Sequence, residues 1–257
     1  MKKISSLIIL LAVLFAVTNI NAQPQMKVHV YGGYNVPLSG LGGNSNYPPS
    51  FTSGTSFDRF LYMKSGFNAG ADFKYFLGKK RNIGLLLNAA YNGYNTGTFS
   101  NYTPAGPLDG GKVTLNDVRI GIGAEYDFLP LKKANPFVGI DLTGNFLSGK
   151  FTPATGTELT MNSASRFGLA VGAGVDIMFS KNVGVVIGAK FDFMNLIGQQ
   201  DTSAGTGTAT TYYLYDKSYT QTIGGTSYTY NAINMMDVQF YGGVTFAFGQ
   251  PKKMVKK

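Results

Sequence analysis

The sequence predicts an all-β protein, an eight-stranded antiparallel up-and-down transmembrane β-barrel, and three observations carry that expectation. Apolar residues recur at every second position through eight segments, the connections between them alternate in length, and the positions opposite the apolar set are glycine-rich and polar. A period of two belongs to strands, because successive side chains point to opposite faces. Composition agrees: the 257 residues include 34 Gly, 19 Phe and 16 Tyr, and only 14% are charged, against roughly a quarter in ordinary globular chains. A surface with so few charges suits a chain covered by something other than water. Having no Cys, the protein has no disulfide framework, Cys-ligated zinc, iron–sulfur cluster or thiol nucleophile.

Taken from the start, Lys2 and Lys3 precede an apolar run from Ile4 through Val17, and Ala22 stands before Gln23. The run is shorter than the ~20 apolar residues of a spanning helix and reads as a cleaved signal peptide over residues 1–22. A barrel then occupies 23–248, and 249–257 form a basic periplasmic tail. Between Asn116 and Phe128, Val118, Ile120, Ile122, Ala124, Tyr126 and Phe128 oppose Asp117, Arg119, Gly121, Gly123, Glu125 and Asp127. From Arg166 to Phe179 the same alternation sets Phe167, Leu169, Val171, Val175 and Ile177 against Arg166, Gly168, Gly172, Gly174 and Asp176.

The template places strands at roughly 26–37, 63–77, 83–95, 114–129, 137–147, 165–179, 183–197 and 234–248. Tilted strands cross a bilayer in about 9 to 11 residues, so each is long enough. Connections 78–82, 130–136 and 180–182 are short, whereas 38–62, 96–113, 148–164 and 198–233 are long and rich in Gly, Ser, Thr, Asn and Tyr. A meander therefore collects four long loops at one end, and three turns with both termini at the other.

The two faces separate a membrane barrel from a soluble one. Turned inward, Phe73, Tyr75, Phe128, Phe167, Phe179, Phe191, Phe193, Phe246 and Phe248 exceed the room inside eight strands. Turned outward they form a lipid-facing band, and Tyr34, Tyr91, Tyr126, Phe128, Phe137, Phe179, Phe193 and Phe248 lie near strand ends as an aromatic girdle. Closure also pairs every backbone group, where an unpaired amide in hydrocarbon costs several kcal/mol.

The polar parity then lines the lumen with Asp72, Lys74, Asp117, Arg119, Glu125, Asp127, Asp141, Arg166, Asp176, Lys190, Asp192 and Asp237. Mixed charges in a narrow interior favour a paired plug, since an unpaired buried charge is costly. Strand order suggests Arg119 with Asp72 or Asp141, and Lys190 with Asp176 or Asp237. The lone histidine, His29, falls at the start of the first strand, at the end away from the long loops, where it reads as a lumen or interface residue. No nucleophile elbow, HExxH or P-loop pattern is present, so no catalytic residue, metal or cofactor is expected. In the longest loop, Tyr212, Tyr213, Tyr215, Tyr219, Tyr228 and Tyr230 stand among Thr, Ser and Gly, a composition suited to adaptable contacts, and Gly224-Gly225 marks a hairpin turn. Asn44, Tyr47, Phe51 and Phe57 make a second patch in the first long loop.

The last strand, Tyr241 to Phe248, resembles the signal by which outer-membrane barrels are recognised for assembly, through Tyr241, Gly243, Phe246 and Phe248. With the signal peptide and the alternating loops, it makes the chain similar to the Bacteroidetes outer-membrane β-barrel family, the PorT-like proteins, which share the form of OmpA and OmpX. That resemblance implies a bacterial outer-membrane location, contact with lipid and lipopolysaccharide, recognition by the barrel assembly machinery and a surface or secretion-complex protein partner. It implies a structural or surface-interaction role. A narrow channel for small solutes is the alternative, and a lipid-modifying enzyme a third. The formal charge of +9 carries no nucleic-acid reading module: Lys79, Lys80, Arg81, Lys132, Lys133 and Lys181 sit in the short turns and Lys252, Lys253, Lys256 and Lys257 in the tail.

Overall fold

The computed structural model describes residues 25–42, 51–52, 56–57, 61–78, 80–96, 111–130, 132–153, 156–201 and 210–249. The signal-peptide segment, the tail beyond Gly249, and Asn44 and Tyr47 lie outside them. Eight long strands form the barrel: β1 (Met26–Ser39), β2 (Ser65–Leu77), β3 (Ile83–Asn95), β4 (Lys112–Asp127), β5 (Ala134–Thr152), β6 (Leu159–Met178), β7 (Val183–Ile197) and β8 (Met235–Phe248). Each pairs antiparallel with its neighbours in sequence, and β1 pairs with β8 over the whole run from Met26↔Phe248 to Ser39↔Met235. The sheet is therefore closed and has no free edge within the bilayer.

Alternation decides which way each side chain points. Ile120, Ile122, Leu142, Phe179 and Ile187 are 59–67% exposed although they are large and apolar, while Asp117, Arg119, Asp127 and Asp192 between them are no more than 1% exposed. An apolar exterior around a charged interior reverses the order of a water-soluble protein. It is the order that hydrocarbon solvent requires.

Phe137 corrects the expected girdle. It is only 4% exposed and points into the lumen, because it shares the parity of Asp141 while Val138, Ile140 and Leu142 face out. Its ring is accommodated by Gly174, where a Cβ would lie 2.6 Å from the Phe137 ring edge. Gly188 does the same for Tyr241, whose hydroxyl would sit 2.4 Å from an added Cβ. Gly66 and Gly84 likewise make room for Tyr94 and Phe76, whereas Gly123, Gly168 and Gly172 lie against Asp141, Thr143 and Lys190.

The expected loop at 148–164 is mostly strand. β5 and β6 continue past the apolar band and pair as far as Phe151↔Leu159, with a register shift near Leu147 and Gly149. Thr152, Leu159, Thr160 and Met161 are adequate strand formers, but the stretch lacks the lipid-facing alternation that marked the other segments. In the fourth connection, Tyr219–Ile223 pairs with Thr226–Tyr230 around Gly224 and Gly225, both at positive φ. Two consecutive residues at positive φ are what a tight hairpin turn demands, and glycine supplies them without strain. This hairpin is not a prolongation of β7 and β8: it joins Ser56–Phe57 and Phe51–Thr52 in a separate small sheet.

Candidate functional site

The lumen holds most of the chemistry-bearing residues, stacked in layers from the short-turn end to the long-loop end. At the bottom Lys27 Nζ lies 2.9 Å from Asp127 and 2.8 Å from Asp176, and His29 Nε2 lies 2.9 Å from the other Asp176 oxygen. Lys74 donates to Glu125 at 2.7 Å and sits 4.1 Å above the Phe137 ring. Lys190 lies 3.5 Å from Asp141 and 3.7 Å from Asp72, bordering a cavity that Glu125 and Tyr241 also line. With about 10 Å3 open to a water's centre, the cavity has room for a single water.

At mid-height Arg119 donates to Asp192 at 2.5 Å, to Gln239 at 3.0 Å and to Asn88 at 3.2 Å. Tyr94 donates to Asp237 at 2.6 Å, and Asn92 to Asp117 at 2.9 Å; Asn35 accepts from Asn68 in the same layer. All twelve charged positions expected in the lumen are buried, and Lys27, which the expectation left out, is buried with them. Their partners differ from those suggested by strand order. Arg119 on β4 reaches Asp192 on β7, and Lys190 on β7 reaches Asp72 on β2 and Asp141 on β5. Asp176 belongs instead to Lys27 and His29, and Asp237 to Tyr94 and Gln239. An eight-stranded lumen is narrow enough for long side chains to pair across it, so adjacency in the sheet does not select partners.

Above this network the interior becomes apolar. Tyr94, Leu115, Leu147, Met161, Ala164, Met194 and Met235 from the strands pack with Leu41, Met63, Leu214 and Ile233 from the connections, all buried. A strap from the fourth connection is tied into this mouth. Thr211–Tyr212 runs parallel to Thr160–Met161 of β6, and Arg166 Nε and Nη2 donate to the two oxygens of Asp216 at 2.8 and 2.7 Å. Asn195 and the Gln200 amide donate to the same carboxylate at 2.8 and 2.9 Å. Asp216 is fully buried. Nothing in the sequence marked it, since Tyr215-Asp216-Lys217 reads as ordinary loop; only Arg166, a cation with no partner of its own on the neighbouring strands, hinted at a missing acid.

The six loop tyrosines do not form one patch. Tyr212 packs against the apolar cap. Tyr213 stacks on Tyr215 with centroids 6.3 Å apart, and Tyr219 on Tyr230 at 4.7 Å. Tyr228 lies on the Tyr219 and Tyr230 face of the hairpin, opposite Gln221, with Thr220, Thr222, Ser227 and Thr229 on the other side. In β8, Tyr241 points inward against Tyr31 at 4.9 Å, Gly243 is also of the inner parity, and Phe246 and Phe248 point outward. Of the first-loop patch, Phe51 and Phe57 pair through their backbones. Among the described residues no group of His, Asp and Glu is arranged to hold a metal ion.

The family described as Opacity family porin protein matches residues 89–239, more than half of the chain. The chain belongs to that family. As an Opacity-family porin protein it resides in the bacterial outer membrane, and by the barrel pattern its three short turns face the periplasm and its long connections the exterior. Neisserial surface protein A is 16% identical with a TM-score of 0.46, covering 87% of this chain and 97% of that one. OprG from Pseudomonas aeruginosa is 13% identical with a TM-score of 0.46, covering 89% and 100%. Ail, the attachment invasion locus protein of Yersinia pestis, solved in complex with the heparin analogue sucrose octasulfate, is 12% identical with a TM-score of 0.39, covering 86% and 99%. Comparison with curated protein sequences gives no match.

Proposed function

We propose that this Opacity-family barrel works as a closed surface-interaction protein: the lumen is plugged, and contact with a partner is made by the loops. One observation carries the reading. The interior is filled along its height, by the charge network up to Asp237 and above it by the apolar cap under the Arg166–Asp216 strap. Full-length protein in planar bilayers is expected to show no conductance steps above about a few tens of picosiemens, the order expected of even a narrow aqueous path; larger steps would sink the plugged-lumen reading. Residues 218–231 carry the exterior hairpin and can be removed without touching Leu214 or Asp216. Their deletion should abolish binding to a surface partner while the barrel stays folded.

A narrow channel is the second reading, and the lumen charge says which ions it would pass. Among the described residues nine buried carboxylates, counting Asp216, face five buried Lys and Arg, so an open state would favour cations. Reversal potentials across a KCl gradient would show it. The finer kinship with PorT-like proteins and a secretion-complex partner belongs to the same proposal, tested by crosslinking in intact cells. So does the absence of catalysis: overexpression should leave the lipid A mass spectrum unshifted. Cleavage of a signal peptide should leave Gln23 as the first residue of the membrane-embedded protein.

A further inference from the structure

The two ends of the barrel differ in charge in a way the surface role does not use. At the exterior, Lys150 is paired with Glu158 at 2.7 Å and Lys217 with Asp201 at 3.6 Å. At the periplasmic end the three short turns carry Lys80, Arg81, Lys132, Lys133 and Lys181. Among the described residues no exposed carboxylate stands at this end, because Asp127 and Asp176 are turned into the lumen and held by Lys27. Lys80, Lys132 and Lys133 are exposed. Arg81 donates to the Gly249 carbonyl at 3.5 Å, which brings the end of β8 to the same rim.

This basic ring lies directly outside the apolar band. Leu77, Ile83, Tyr126, Phe128, Leu129 and Phe179 are 43–67% exposed on the lipid side of the same turns, and Tyr126 and Phe128 meet edge to face at 5.1 Å. Aromatic rings of this kind settle at the depth of the headgroups, so the cations two to four residues farther along stand within reach of lipid phosphates. We propose that the periplasmic rim is a binding surface for anionic phospholipid headgroups. The fit is one of charge: the exposed Lys80, Lys132 and Lys133 have no exposed carboxylate beside them among the described residues, and cations spread round a ring match many lipid phosphates better than one compact ligand. The attraction of basic side chains to an anionic surface is screened by salt.

The test uses full-length protein folded into vesicles of phosphatidylcholine with 20 mol% spin-labelled phosphatidylglycerol or, for comparison, spin-labelled phosphatidylcholine. Motionally restricted phosphatidylglycerol at the barrel should exceed phosphatidylcholine by about twofold to fivefold at low salt, falling toward parity at high salt. Neutralising the rim (K80Q, R81Q, K132Q, K133Q and K181Q together) should remove the preference. Neutralising Lys64, Lys112, Lys150 and Lys217 at the exterior should leave it in place. Equal restriction of the two lipids in the unmodified protein overturns the proposal, as does a preference that is insensitive to salt or lost only in the exterior variant. Binding of soluble polyglutamate without any lipid preference would assign the rim to an acidic polypeptide and also overturn it. The salt series on the unmodified protein decides the matter should the five-fold variant fail to fold.

Discussion

Below Asp237 the inward positions of the barrel carry carboxylates gripped by Lys27, Lys74, Lys190 and Arg119, whereas above it the same parity of the same strands carries Tyr94, Leu115, Leu147, Met194 and Met235. Strand geometry does not change at this boundary; the chemistry of closure does. In the lower half every partner is built into the covalent frame of the barrel, and each ion pair bridges strands that are already fixed. In the mouth, part of the packing comes from Leu41, Leu214 and Ile233 in the connections. The lower half is thus inseparable from the fold, while the upper half includes a strap that can leave without opening the sheet.

The comparison is broken most severely at Arg119. Replacing it by Met leaves Asp192 buried beside Asp117 and Asp237 with no guanidinium, and stranding a buried charge costs about 3–5 kcal/mol. Urea unfolding in detergent, followed by heat-modifiable gel migration, should register that loss. Leu147→Ala attacks the mouth instead and should cost about 2–4 kcal/mol through the cavity it leaves. The distinction between the halves predicts that its loss is insensitive to salt and pH. Asp216→Asn replaces the ion pair with Arg166 by neutral hydrogen bonds, at about 1–3 kcal/mol if the strap lifts and lets water reach the guanidinium, and its signature is local: residues 210–217 should become cleavable by protease on intact cells while gel migration stays that of a folded barrel. An unfolded barrel in that variant would erase the proposed separation of strap from sheet.

The smallest effect is expected at the rim of the β5–β6 hairpin. The Lys150 ammonium, hydrogen-bonded to Glu158, holds that carboxyl below its usual range. A depressed carboxylate contributes stability above its unfolded pKa, and that contribution is lost as pH falls through the folded value. The pair is solvent-exposed, so Glu158→Gln should leave the unfolding midpoint at neutral pH nearly unchanged. A clear destabilisation there would mean that the exterior hairpin supports the barrel.

What could be read from the sequence is what period two encodes. Val118, Ile120 and Ile122 declare one face and Asp117 and Arg119 the other, and strand number, order and the lipid-facing band follow. Partner choice across the lumen is not encoded in that period: Arg119 meets Asp192 because the barrel is narrow and both stand at one height, which register along β4 and β7 fixes only once the ring is closed. Phe137 was misplaced for a related reason, since a large aromatic near a strand end reads as girdle unless its parity with Asp141 is weighed. Asp216 was hidden because loop burial leaves no periodic trace. The strand extension of β5 and β6 was hidden because outside the bilayer nothing forces apolar residues onto alternate positions.

Closure by β1 and β8 has a kinetic consequence. The pair Met26↔Phe248 joins residues separated by nearly the whole described chain, so the contact that completes the ring has about the highest contact order the protein offers, and non-local pairing of this kind is slow. Whatever order the other strands follow, the ring stays open until β1 and β8 meet. Until then each presents a row of unpaired amides that hydrocarbon does not tolerate. The rate at which these two strands find each other therefore governs how fast the protein can enter its membrane, and a substitution such as Gly243→Val, whose Cβ would meet the Val30 carbonyl at 2.1 Å, should slow insertion through that step.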